Sequence, residues 1–177
     1  MVLISEEYRS LNRELHERRA DYGTTAPKYS GQVAEMASVL GATSILDYGC
    51  GKGLLGAALS HLLIAEYDPA IPGKDEPPEP ADLVVSIDVM EHIEPDHLDD
   101  VLDDLQRLAI KGVFVTVATY LAAKTLADGR NAHLIVEGPE FWLPKFMERF
   151  DLRLFQATAN EFAVFAQTKE RRGDNGG

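Results

Sequence analysis

Three glycines at alternating positions follow a short apolar segment, and this combination restricts the fold more than any other feature of the chain. Residues 44–48 read Ser-Ile-Leu-Asp-Tyr, a pattern that predicts a buried strand. After it, Gly49, Gly51 and Gly53 allow the backbone to turn tightly and to approach a ligand closely. A helix and a second strand are predicted over residues 54–68. Strand, glycine turn, helix and strand in this order form the opening of a doubly wound α/β sheet.

The rest of the chain alternates between helical and strand patterns. Helices are predicted over 4–20, with Ser5 as the N-cap, and over 27–40, 54–63, 95–110 and 140–150. Strands are predicted over 44–48, 64–68, 82–88 and 113–118, followed by a hairpin of 152–157 with 162–168. Gly41 is expected to close the second helix and Gly112 the fourth.

These patterns predict a single α/β domain over residues 1–168. The N-terminal helices occupy 1–43, and residues 44–168 form a Rossmann-like, doubly wound core. Its mostly parallel sheet ends in an antiparallel hairpin. The charged, glycine-rich segment 169–177 is predicted to be a disordered tail.

Composition restricts the class of partner. A net charge of −12, from 17 Lys and Arg against 29 Asp and Glu, argues against long DNA or RNA, because phosphate contacts need a basic face. The single cysteine, Cys50, favours a reducing compartment. No signal-peptide pattern is present, and no apolar run reaches the roughly 18 residues of a membrane helix. A cytoplasmic location without membrane contact is therefore expected.

The glycine loop alone leaves several ligands open. It lacks the GxxxxGK[ST] spacing of a P-loop, and Leu54 stands where the third glycine of a strict GxGxxG motif belongs. A dinucleotide, a phosphate or only a tight turn would each fit such a loop.

Residues 45–53, Ile-Leu-Asp-Tyr-Gly-Cys-Gly-Lys-Gly, resemble motif I of the class I S-adenosylmethionine (SAM)-dependent methyltransferases. The resemblance implies that the Gly49–Gly53 backbone lies under the methionine part of SAM and that Asp47 approaches its amino group. Asp68, at the end of the second strand, would bind both ribose hydroxyls. The cofactor-binding residues implied in this way are Asp47, Tyr48, Gly49, Cys50, Gly51, Gly53, Tyr67, Asp68, Pro69, Ile87 and Asp88. Tyr22 and Tyr29 flank a loop that would cover the cofactor.

One segment departs from the pattern of that family. Only 13 residues, several of them proline, separate Asp68 from Asp82, where the family has a helix and a third strand. We therefore expect this strand and its helix to be reduced or missing. Ile71, Asp75 or the backbone of residues 86–87 would then recognise the adenine.

A polar cluster follows the strand 82–88. Asp88, Glu91 and His92 share one side if the turn after Ile87 is helical. This stretch resembles ubiquinone-type O-methyltransferases and the small-RNA 3′-terminal 2′-O-methyltransferases, some of which bind a metal with a later histidine, here His133. The catalytic candidates are Asp88, His92 and His133.

Three interpretations of this cluster remain open. Asp88 or His92 acts as a general base. Alternatively Asp88, Glu91, His92 and His133 bind a divalent metal ion that polarises a hydroxyl acceptor. In the third, Glu91 caps or forms an ion pair and His92 packs over the cofactor.

The sequence thus predicts a SAM-dependent methyltransferase that acts on an oxygen or nitrogen of a small-molecule or nucleotide-like acceptor, with or without a metal ion. A methyltransferase for the ends of nucleic acids and a non-catalytic SAM-binding module are the alternatives. A homodimer is compatible with the sequence.

Overall fold

The computed structural model describes residues 2–169, which form five α-helices and six strands. The helices are α1 (Glu6–Arg18), α2 (Ser30–Leu40), α3 (Leu54–Ala58), α4 (Leu98–Leu108) and α5 (Pro139–Arg149). The strands are β1 (Ile45–Tyr48), β2 (Ile64–Tyr67), β3 (Ala81–Ile87), β4 (Ala109–Ala118), β5 (Phe150–Ala157) and β6 (Glu161–Thr168). Short 3₁₀ turns cover Ala26–Tyr29, Met90–His92 and Pro95–His97.

The six strands form one sheet in the order β2-β1-β3-β4-β6-β5. The first four are parallel, and β6 and β5 close the sheet as an antiparallel hairpin. The chain passes from β1 to β2 on one side and then to β3 on the other side of β1. This reversal is the topological switch point at which open α/β sheets bind ligands. The predicted fold class is confirmed.

The third strand of the family's plan is missing, as predicted. Residues 68–80 contain no strand, so β2 is an edge of the sheet. Within this segment the amide of Asp68 donates to the carbonyl of Lys74 (2.9 Å), and the amide of Lys74 donates to the carbonyl of Ile71 (3.0 Å). The segment therefore folds back on itself as a tight loop beside the glycine turn.

Helices cover both faces of the sheet. One core cluster packs α4 and α5, including Leu105 and Trp142, on the face that carries Leu46 and Val84. The other packs α2 and α3 on the face that carries Ile45. Because side chains alternate along a strand, Asp47 shares the face of Ile45.

Helix α1 forms a third, smaller cluster above the carboxyl edge of the parallel strands. Its Tyr8 and Leu15 pack with Leu126 and Ala132, which belong to the irregular segment 119–138. Ser5 is the N-cap, as predicted, and its Oγ accepts a hydrogen bond from the amide of Tyr8 (3.1 Å). This helix therefore covers the edge where β1, β2 and β3 end.

Two predicted boundaries are wrong. Helix α3 was expected over 54–63 but ends at Ala58, because Leu59 leaves helical geometry (φ −116°, ψ 41°) and the chain turns back toward β2. Gly112 does not end α4. It lies inside β4, where a Cβ would stand 2.6 Å from the carbonyl oxygen of Ala166 on β6. Glycine at position 112 therefore allows β4 and β6 to pack closely.

The remaining boundaries agree within a few residues. Gly41 closes α2 in the left-handed conformation (φ 57°), as predicted. Pro144 lies inside α5, whose first residue is Pro139. The predicted tail begins at Lys169, whose Nζ donates to the carbonyl of Met147 (2.7 Å), and residues 170–177 lie outside the described residues. Within residues 2–169, no helix combines the length and the apolar character that crossing a membrane requires.

Candidate functional site

A crevice opens where β1, β2 and β3 end. It brings together eight of the predicted cofactor residues: Tyr48, Gly49, Cys50, Gly51, Asp68, Pro69, Ile87 and Asp88. Asp47, Gly53 and Tyr67 lie behind this wall and do not line it. The crevice also takes in residues from α1, from the segment after it and from α4, so five separate parts of the sequence meet here: 3–26, 48–51, 68–69, 87–93 and Val101.

The glycine loop is held by the end of β2. The amides of Gly49 and Cys50 both donate to the carbonyl of Tyr67, at 2.8 and 3.0 Å. Gly49 adopts φ +80°, and a Cβ there would stand 2.5 Å from a methyl carbon of Val89. Glycine is therefore required at this position by the backbone conformation and by the close approach of Val89, in the turn after β3.

Asp68 holds two backbone amides in the wall of the crevice. Its Oδ2 accepts from the amide of Gly51 (3.0 Å) and its Oδ1 from the amide of Ala70 (2.9 Å). A carboxylate oxygen has two lone pairs, so each oxygen retains one acceptor site. These bonds fix the carboxylate at the end of β2, where the sequence predicted it.

Asp47 is buried behind the loop, with 2% of its surface exposed. Burial, reinforced by the neighbouring Glu66, raises the pKa of its carboxyl to about 7. Its Oδ2 has no hydrogen-bond partner among the described residues. A buried carboxyl without a partner for this oxygen therefore lies directly behind the glycine loop.

One end of the crevice is apolar. It is lined by Leu3, Pro69, Val89, Ile93 and Val101. The sequence favoured Ile71 or Asp75 for contact with an adenine ring, but neither lines the crevice, because the tight turn of the 68–80 loop carries both away from it. Ile87, which belongs to the third predicted candidate, the backbone of residues 86–87, does line the crevice.

Residues 21–25, here called the strap, cross the mouth of the crevice. Lys52 donates from Nζ to the carbonyls of Arg19 (2.9 Å) and Tyr22 (2.8 Å). Thr25 donates from Oγ1 to Oδ2 of Asp88 (2.9 Å). The strap is thereby fixed both to the glycine loop and to the end of β3.

A second cavity of about 170 Å³ lies on the other side of the strap. It shares Tyr22, Gly23, Thr25, Asp88 and His92 with the crevice. Its remaining walls come from the 119–138 segment and from His133, near Tyr120 and Lys124. The two cavities therefore meet at Asp88 and His92.

Of the strap residues that line the crevice, only Tyr22 was predicted from the sequence. Tyr22 lines the crevice as expected of a covering loop, whereas Tyr29 packs against Phe114 in the core, with ring centroids 6.1 Å apart. Sequence reasoning missed Thr25, which belongs to no motif, and the role of Lys52, which stands at a variable position of the glycine motif; tertiary packing alone gives both their partners.

Asp88 adopts a left-handed backbone conformation (φ 59°), which is rare outside glycine, asparagine and aspartate. The helical turn that would have aligned Asp88, Glu91 and His92 on one side therefore does not begin at Asp88. Its carboxylate faces Thr25 instead. A strained residue at the junction of two cavities is typical of a functional position.

Glu91, His92 and His133 form a buried group in which one ligand atom from each lies within 4.8 Å of the others. Asp88, the fourth predicted ligand, does not join this group. The imidazole centroids of His92 and His133 are 4.7 Å apart, and their planes are nearly perpendicular. The structure thus assembles three of the four residues that the sequence singled out for a metal ion.

Hydrogen bonds orient all three side chains. Nδ1 of His92 donates to the carbonyl of Ala132 (2.7 Å), and Nδ1 of His133 donates to the carbonyl of Tyr120. Because a carbonyl only accepts, a neutral ring bonded in this way carries its lone pair on Nε2. Glu91 accepts from the amide of Ala118 through Oε1 (2.8 Å), and its Oε2 has no partner among residues 2–169.

Burial favours the neutral forms of Glu91 and His92. It lowers the pKa of His92 to about 4, with a further contribution from the neighbouring His133. It raises the pKa of Glu91 well above the usual range, and the nearby carboxylate of Asp88 adds to the effect. The group therefore offers acceptor lone pairs to a ligand and little net charge.

Comparison with solved structures finds the same architecture. The N-methyltransferase NodS from Bradyrhizobium japonicum WM9, in complex with S-adenosylhomocysteine (SAH), has a TM-score of 0.62 at 16% identity, covering 94% of this chain and 100% of that one. The 1,6-didemethyltoxoflavin-N1-methyltransferase of Burkholderia thailandensis has a TM-score of 0.66 at 16% identity, with 96% and 92% covered. The magnesium protoporphyrin IX methyltransferase ChlM of Synechocystis PCC 6803, with bound SAM, has a TM-score of 0.57 at 12% identity, with 95% and 100% covered.

The chain has the class I methyltransferase fold. No protein-family model matches the sequence, and no curated protein matches it either. At 12–16% identity, the likeness to solved structures establishes the architecture. In this methyltransferase fold the crevice lies at the switch point of the sheet, between the glycine loop and the end of β3.

Proposed function

We propose that the protein is a SAM-dependent methyltransferase that acts on an oxygen or nitrogen atom of a small acceptor. The observation that carries the proposal is the crevice, which is lined by a glycine loop, a fixed carboxylate and an apolar end. Neighbours that act on small molecules, such as the toxoflavin enzyme, support a small acceptor.

Each part of the crevice suits one part of SAM. The glycine loop accommodates the methionine tail, and the free lone pairs of Asp68 accept from the two ribose hydroxyls. The apolar end, which includes Pro69 and Val89, suits the adenine ring. When bound, SAM supplies a methyl group on a positively charged sulfur.

The second cavity is the proposed acceptor site, because it meets the crevice at Asp88 and His92. Enzymes of this kind mainly position the acceptor and, where needed, remove its proton. Asp88 is placed to do so, and the single lone pair of the neutral His92 ring does so only when it binds no metal ion. Thr25 holds the carboxylate of Asp88 in place.

We further propose that Glu91, His92 and His133 bind a divalent transition-metal ion. Two observations support it: the ligand atoms converge within 4.8 Å, and both histidines donate from Nδ1 to backbone carbonyls, as metal-bound histidines usually do. Oε2 of Glu91, buried and unpartnered among the described residues, is a further donor atom. Two imidazoles and a carboxylate suit manganese, iron, cobalt or zinc, and such an ion would polarise a hydroxyl acceptor.

The activity is tested by incubating the protein with labelled SAM and fractionated metabolites, followed by mass spectrometry. The expected result is a labelled small molecule, with turnover at least about 100-fold lower in Asp88→Asn and in His92→Gln while SAM binding is retained. If SAM binds and no fraction is ever labelled, the chain is a non-catalytic SAM-binding module. Labelling confined to RNA or DNA ends would replace the small acceptor by a nucleic acid.

The metal is tested by titrating manganese or zinc into the metal-free protein. We expect one tight site per chain that Glu91→Gln weakens at least about tenfold, whereas Glu79→Gln, on an exposed loop, leaves it unchanged. Turnover should fall in EDTA and return with the ion. Identical metal binding by Glu91→Gln, or full turnover in EDTA, contradicts this part of the proposal.

A further inference from the structure

His16 of α1 lies in the wall of the crevice, against the glycine loop. A Cβ on Gly51 would stand 3.2 Å from its Cε1, and a Cβ on Gly23 would stand 3.1 Å from the same atom. The ring also packs on Tyr22, with centroids 4.5 Å apart. The imidazole is therefore enclosed between the glycine loop and the strap.

The imidazole has no hydrogen-bond partner that explains its position. Nδ1 is buried, and no described residue donates to it or accepts from it. Buried polar atoms in native proteins are nearly always paired, so an unpaired one calls for a ligand or a functional reason. Apolar packing alone would be served better by leucine or phenylalanine at this position.

The cofactor brings a carboxylate to this part of the crevice, where the protein's own charged lining residues are Asp68 and Asp88. A carboxylate needs a donor there, and the neighbouring cations are engaged elsewhere. Lys52 donates to two carbonyls of the strap region. Lys74 forms an ion pair with Glu66 (2.9 Å) and donates to the carbonyl of Gly51 (3.1 Å).

The other candidates are placed less well. Arg13 donates from Nε to the carbonyl of Ala70 and lines a neighbouring groove outside the crevice. His92 lies at the junction with the second cavity, where its Nδ1 is bonded to Ala132. His16 lines both the crevice and the neighbouring groove, so it is the donor that remains beside Gly51.

We propose that His16 donates a hydrogen bond to the carboxylate of the cofactor's methionine tail and so positions SAM along the glycine loop. This inference rests on the proposed function. In the complex, the imidazole N–H gains an acceptor in a partly buried site, where a hydrogen bond to a charged group is strong.

The test compares two ligands that differ only in the carboxylate: SAM and decarboxylated SAM. Their dissociation constants are measured by calorimetry for the unmodified protein, His16→Ala and His16→Phe, the last of which keeps an aromatic ring against Tyr22 and Gly51. His61→Ala, on an exposed turn, is the matched control. Denaturant unfolding of each variant reports whether the fold is kept.

Both His16 variants should bind SAM at least about tenfold more weakly and decarboxylated SAM within about twofold of the unmodified protein. The His61 variant should match the unmodified protein for both ligands. Equal weakening for both ligands, or unchanged SAM binding, overturns the role of His16. If the unmodified protein binds neither ligand, the proposed function itself fails.

Discussion

At the scale of single residues, Asp47 has the clearest thermodynamic consequence. Its carboxyl has a pKa of about 7 in the folded chain against an ordinary value of 3.8, because it is buried and lies near Glu66. Between about pH 4 and 7 the folded state holds a proton that the unfolded state has lost, so rising pH destabilises the fold across this window. Above about pH 7 the carboxyl of Asp47 is ionised in both states, so its destabilising effect no longer changes with pH.

Asp47→Asn removes this titration and should therefore stabilise the protein at high pH. The gain over the unmodified chain should grow from about pH 5 to about pH 8, with roughly 4 kcal/mol as an upper bound from the size of the shift. Urea unfolding at both pH values measures it, and Asp96→Asn, on an exposed turn, is the control. A difference between variant and unmodified protein that does not change with pH contradicts the account.

Motif residues could be predicted from the sequence, and their partners could not. Gly49 and Asp68 lie where the sequence placed them, because the strand that precedes each one fixes their position. His16 and Thr25 reach the same crevice from α1 and the strap, which carry no motif, and only the tertiary fold brings them there. The positive φ of Asp88 could not be predicted either, because most aspartates adopt ordinary backbone conformations.

At the scale of elements, α1 covers the crevice and is anchored at its first turn. Ser5 accepts from the amide of Tyr8 and donates from Oγ to Oε1 of Glu94 (2.7 Å), while its amide donates to Oε2 (2.8 Å). The carboxylate of Glu94 therefore lies at the positive end of the helix and ties it to the turn after β3.

Ser5→Ala should destabilise the protein by about 1–2 kcal/mol, because it removes an N-cap and a bond to a charged group. Loosening α1 should also weaken SAM binding. Ser10→Ala is the matched control, since Ser10 is an exposed residue of the same helix, bonded only to the carbonyl of Glu6. Equal stability of the two variants in urea unfolding contradicts this role for Ser5.

The tight 68–80 loop occupies the place of the missing third strand and is held by Lys74. Its Nζ joins Glu66 of the edge strand β2 to the carbonyl of Gly51 in the glycine loop. One side chain thus links the edge of the sheet to the crevice wall.

Lys74→Met should destabilise the protein by up to about 1 kcal/mol, because the partly exposed Glu66 then loses its ion-pair partner and the buried Asp47 loses a nearby cation. Hydrogen exchange should accelerate in residues 68–75 and in the glycine loop. Lys28→Met, at an exposed position, should show neither effect. Unchanged exchange in the Lys74 variant would mean that the loop is held without this side chain.

Element types were predictable and some boundaries were not. Apolar periodicity identified each helix and strand, and turn chemistry identified Ser5 and Gly41 as caps. Gly112 was wrongly predicted to end α4, because glycine is also required where two strands pack closely. The close approach of β6 to this position cannot be deduced from the local sequence. Helix α3 is short because the chain has to return to begin β2, a constraint set by the sheet and absent from local sequence.

At the scale of the whole molecule, the net negative charge disfavours binding to a polyanion such as RNA or DNA. The chain carries a net charge of −12, so long RNA or DNA should show no binding up to roughly 10 μM at about 150 mM salt. Filter binding or fluorescence anisotropy with a labelled oligonucleotide measures this. Salt-sensitive binding in the submicromolar range would instead favour the nucleic-acid alternative.

The central claim is that the crevice between the glycine loop and Asp68 binds SAM. Titration of SAH into the protein, followed by calorimetry, tests it most directly. We predict saturable binding of one SAH per chain with a dissociation constant in the micromolar range, weakened at least about tenfold in Asp68→Asn. Absence of binding up to about 1 mM SAH, or equal binding by the folded Asp68→Asn variant, would contradict it.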